Sequence, residues 1–73
     1  MELLEVTEST QLRREAAADK LRQLADSLSR HNEVAFTREG LKYSVRVPAE
    51  VTFSLEIEVG GEDGSEIEIE IKW

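Results

Sequence analysis

SLEIEVGGEDGSEIEIEIKW, residues 54–73, alternates apolar side chains with mostly acidic ones on both sides of a glycine-rich turn. A period of two sends successive side chains to opposite faces of a strand, so the stretch predicts a β-hairpin with one apolar and one glutamate face. The apolar row reaches back to Val51 and Phe53, runs through Leu55, Ile57 and Val59, and returns as Ile67, Ile69, Ile71 and Trp73. Glu56, Glu58, Glu66, Glu68 and Glu70 occupy the other face. In either simple register glutamates meet glutamates across the strands, and directly opposed like charges are destabilising.

Working outward, Val34, Phe36 and Arg38 share one parity, and Leu41, Tyr43, Val45 and Val47 share another. Glu39-Gly40 between them supplies a compact turn, which predicts a second hairpin. Pro48 cannot donate to a ladder and holds Val47 extended, placing a bend before the next strand. Further upstream, Leu12, Ala16, Ala17, Leu21, Leu24, Ala25 and Leu28 recur at intervals of three and four, drawing one stripe along a helix. Ser9 or Thr10 is the expected N-cap, and the helix should end near Arg30 as His31-Asn32 leaves it. Residues 2–8 carry a weak strand signal, with Leu4 and Val6 turned inward or, in the alternative register, Leu3.

These elements compose a single domain, residues 1–73, in an α+β, two-layer fold. One amphipathic helix packs on a mainly antiparallel sheet, in the order β-α-β-β-β-β. Sequential hairpins would make four antiparallel neighbours, with Leu21, Leu24 and Leu28 meeting Val45, Phe53, Leu55 and Ile69 in one core.

A chain of 73 residues buries a smaller share of its surface than a larger domain. With no cysteine, neither a disulfide nor a thiolate metal site supplements its core. The net charge of -7 argues against nucleic acid as a partner, because phosphate binding needs a cationic footprint. No apolar run approaches bilayer-spanning length, and MELLEVTES lacks the basic start and apolar stretch of a secretory signal. The expected setting is therefore cytoplasmic, with no membrane partner.

Three stretches together resemble the amphi-Trp domain, a small prokaryotic family: REAAADKLRQLADSL at residues 14–28, Val45 to Val51 around Pro48, and IEIEIKW at residues 67–73. The resemblance covers almost the entire chain. It implies an amphipathic helix, alternating strands and a closing tryptophan, with Ala17, Leu21, Leu24, Leu28, Pro48 and Trp73 as matched structural positions. It carries over no catalytic residue and no established biochemical activity. Similar proteins often begin the helix with serine near the position of Arg13, and this chain departs there.

Few residues offer chemistry. His31 is the only histidine, and a base or metal ligand needs a positioned partner; at a helix end it reads as a surface residue. Ser27, Ser29 and Ser44 lie in no nucleophile motif, and Gly60 to Gly64 is too short and poorly spaced for a phosphate or calcium loop. No catalytic residue, cofactor or metal ligand set is expected.

The candidate contact residues are Glu56, Glu58, Glu68, Glu70 and Trp73. The glutamates read as a solvated face that keeps sheets apart, with capture of a basic partner or weak divalent-cation binding as alternatives. Trp73 is either a lid over the helix–sheet layer or an anchor for a partner. Residues 11–30 carry five basic against three acidic side chains, so the helix offers a second charged surface. The expected function is a protein-binding or adaptor-like domain acting through a charged surface. The alternative is a structural or oligomerisation module that self-associates through Val34, Ile71 or Trp73.

Overall fold

The computed structural model describes residues 5–73. Helix α1 spans Arg14–His31 and is followed by β1 (Glu33–Arg38), β2 (Leu41–Arg46), β3 (Thr52–Gly61) and β4 (Gly64–Lys72). One helix layer lies on antiparallel strands, the two-layer α+β architecture expected from the periodicities.

The helix begins later than its capping signals suggest. Arg13 occupies the N-cap with extended backbone and no side-chain cap, while Ser9 and Thr10 lie in an irregular stretch upstream. Those hydroxyls stand three and four residues before the cap, whereas a cap serves the amides two or three residues after itself. At the other end Asn32 takes left-handed backbone at φ 55°, a conformation asparagine tolerates well, and Arg30 and His31 sit in the last turn beside the free carbonyls.

The first hairpin follows directly. Glu39 and Gly40 both adopt positive φ, 52° and 80°, which is what a two-residue turn of the type I′ kind demands. This fixes the register Val34↔Val45, Phe36↔Tyr43 and Arg38↔Leu41. Phe36 and Tyr43 stack with ring centroids 5.5 Å apart. At the open end the Val47 amide donates to the Asn32 carbonyl at 2.8 Å, tying the hairpin base to the helix terminus. Val47, 9% exposed, is the buried apolar residue of the described chain.

The second hairpin pairs Phe53↔Ile71, Leu55↔Ile69 and Ile57↔Ile67 on one parity, and Ser54↔Glu70, Glu56↔Glu68 and Glu58↔Glu66 on the other. The ladder shifts register between Glu58 and Gly61 before closing at Gly61↔Gly64. Gly60 and Gly64 supply the positive φ angles that this bulged end requires, and the Gly60 amide donates to Ser65 Oγ at 3.0 Å.

Three expectations are corrected. The four strands form two separate ladders, β1–β2 and β3–β4, instead of one meander. Pro48 lacks an N–H and restricts Val47, and residues 47–51 carry the chain away before β3 begins. The helix side chains Leu21, Leu24 and Leu28 meet Val34, Val47, Ile69, Ile71 and Trp73 around an open apolar cleft of about 280 Å³, while Val45 is only half-buried and Phe53 and Leu55 remain exposed. The leading strand is not formed by its described part: Glu5, Val6, Thr7 and Glu8 have no ladder partner among the described residues. Leu3 and Leu4 lie outside the described residues.

Candidate functional site

The β3–β4 hairpin positions every candidate contact residue. Its pairing places Glu56 directly opposite Glu68, and Glu58 directly opposite Glu66, on a face that is exposed throughout. Glu70 faces Ser54 and has the Lys72 ammonium 3.5 Å from its Oε1. Carboxylate oxygens of Glu56, Glu58 and Glu66 come within 4.8 Å of one another. All three are exposed, so the cluster presents charge to water, and Glu58 and Glu66 line an acidic hollow with Glu62 and Asp63 of the turn.

Trp73 belongs to the other face. It shares the parity of Ile67, Ile69 and Ile71, and it lines the base of the apolar cleft beside the helix. It is nonetheless 63% exposed, so it borders the layer without sealing it. The five candidate residues are thus split between two surfaces, four carboxylates on one and the indole on the other.

Along β4 exposure rises from Ile71 toward the turn. Ile71 is half-buried, Ile69 is 43% exposed, Ile67 is 70% exposed, and Val59 in the bulge reaches 83%. Phe53, Leu55 and Ile57 on β3 are each more than half exposed. The cause is geometric. The helix covers the hairpin only at its base, and a strand rises about 3.3 Å per residue, so a ladder of nine or ten residues projects well past the cleft.

Charge elsewhere is locally matched. On the helix Arg22 donates to Asp19 at 2.7 Å, Lys20 reaches Glu8 at 3.4 Å, and Arg14 lies against Glu15. Asp26 faces Arg30 at 4.0 Å instead of the Arg22 that its spacing also allowed. Lys42 and Arg46 lie on one parity of the β1–β2 ladder and Arg38 on the other, and no ion pair joins them to the glutamate row among the described residues. His31 lies at the helix end near Asn32, Arg46, Val47, Pro48 and Ala49. It faces no carboxylate there. No acid–base or nucleophile pair converges at this position, and among the described residues no helix is long and apolar enough to cross a membrane.

Sequence reasoning found the alternation but undervalued Val47, whose signal was its shared parity with Tyr43 and Val45 immediately before a proline. No curated protein and no solved structure matches the chain. The model of the Amphi-Trp domain family matches residues 1–73. With its helix, its alternating strands and its closing tryptophan, the chain belongs to the Amphi-Trp domain family.

Proposed function

We propose that this domain works by binding protein, as an association or adaptor module, and that its contacting surface is the apolar face of β3–β4 with Trp73 at the base. The observation that supports this reading is the uncovered row Phe53, Leu55, Ile57, Ile67 and Val59, contiguous on one side of a hairpin whose other side is glutamate. Soluble chains rarely leave contiguous apolar patches this long, and those that persist mark contact surfaces. The glutamates keep the outer face wet and confine association to the inner one, since opposed carboxylate rows resist stacking against a second acidic sheet.

Incorporation of a photo-crosslinking phenylalanine analogue tests the reading. Placed at Phe53 it should give a protein adduct on irradiation in cells, and placed at Ser54, on the glutamate face, it should give none. Equal adduct yield from the two positions, or no adduct from either, would remove the apolar face as the working surface.

A further inference from the structure

We infer that the occupant of the apolar face is a second copy of this chain, the two β3–β4 hairpins stacking face to face about a two-fold axis. The inference rests on the association reading above and names its partner. The chain exposes 7097 Å², whereas a folded monomer of its 8.3 kDa mass exposes about 4,600 Å². The excess is roughly 2,500 Å², shared among the irregular stretch before Arg14, the open cleft and the β3–β4 face. A standard interface removes about 800 Å² from each partner and an obligate homodimer up to about 2,500 Å², so even a third of the excess suffices for a stable pair.

The radius of gyration agrees: 14.2 Å, against about 11 Å for a compact chain of this length. A two-stranded hairpin is marginal alone, and among the described residues β3–β4 has no ladder partner beyond its own two strands. A second hairpin about 10 Å away would supply the missing layer.

The charge pattern accommodates a second copy. The paired rows Phe53↔Ile71, Leu55↔Ile69 and Ile57↔Ile67 contain no ionisable side chain with which to recognise a distinct partner. An uncharged apolar patch can pair with its own copy, and a two-fold arrangement uses the same patch twice. The chain's net charge of -7 opposes self-association in general, but face-to-face stacking turns Glu56, Glu58, Glu66, Glu68 and Glu70 of both copies outward. This geometry keeps the acidic rows farthest apart.

Sedimentation equilibrium of the full 73-residue chain, from about 1 to 200 µM, should show a mass tending to twice 8.3 kDa, with a melting temperature that rises with concentration. Ile57→Lys should weaken the pairing at least about 100-fold by forcing a charge into the interface. Glu56→Gln with Glu68→Gln, on the opposite face, should leave the mass at the dimer. The parental measurement keeps the inference testable even if Ile57→Lys fails to fold. A parental monomer with a concentration-independent melt overturns self-pairing, as does open-ended growth beyond the dimer. If that monomer still gives an adduct with a different protein from Phe53, the association reading survives alone; if it gives none, both fall.

Discussion

The two hairpins obey the same alternation and meet different fates. In β1–β2 the apolar parity is covered at its base: Val34, Phe36 and Val45 are half-buried, Phe36 stacks on Tyr43, and the Val47 amide bonds to the helix terminus, while Leu41 at the turn is exposed. In β3–β4 the alternation is longer and cleaner, yet most of its apolar parity is exposed. The contrast teaches that a period of two selects which side chains share a face and says nothing about what covers that face. Cover depends on reach. A single helix of 18 residues ending in a turn beside β1 shields the near hairpin and only the base of the far one.

The largest expected effect attacks the point where the two regions meet. Val47→Asp would place an unpaired carboxylate at the buried junction of helix end, first hairpin and cleft, at a cost of about 3–5 kcal/mol. Circular dichroism should show no cooperative melt; an unchanged transition would mean that the regions are not joined there.

Next in size, Phe36→Ala should lower stability by roughly 2–3 kcal/mol through lost stacking and burial, measured as the urea midpoint. Because this residue serves the hairpin that the chain covers itself, the loss should be the same at every protein concentration. The contrast with Phe53→Ala sharpens the comparison, since a loss there should grow with concentration if that face is covered by another copy. Matching behaviour of the two phenylalanines would erase the distinction between the hairpins.

The smallest effect lies on the outer face. Glu56→Gln with Glu68→Gln removes a directly opposed like-charge pair and should raise the melting temperature by roughly 2–5 °C in low salt. The gain should vanish at about 1 M salt, where screening reaches about 3 Å. A gain that persists in high salt would point to packing in place of repulsion.

Much of this architecture is legible from residues alone. The stripe Leu21, Leu24 and Leu28 lines the cleft as its spacing requires, and Glu39-Gly40 turns where a two-residue hairpin turn needs positive φ. The opposition of Glu56 and Glu68 also follows from alternation around the glycine-rich turn. Other features were hidden because their signals are local while their causes are not. Ser9 and Thr10 look like caps by composition, but a cap works only where the chain enters the helix, and it enters at Arg13. Consecutive strands usually pair, which predicts a continuous meander, whereas Val47 to Val51 separates β2 from β3. For the candidate contacts, alternation already separated Trp73 from Glu70 by face, whereas the exposure of Trp73 depends on how far the helix reaches.

By itself the sequence determined the helix stripe, both hairpin turns, and the division of β3–β4 into an apolar and an acidic face. These depend on backbone conformation and side-chain period, which are properties of neighbouring residues. Only the tertiary structure decided that the strands split into two ladders, that Val47 is the buried junction, and that the apolar face of the longer hairpin extends beyond the helix. Burial is a relation between distant segments, so it is settled by where the helix ends and how far its side chains reach.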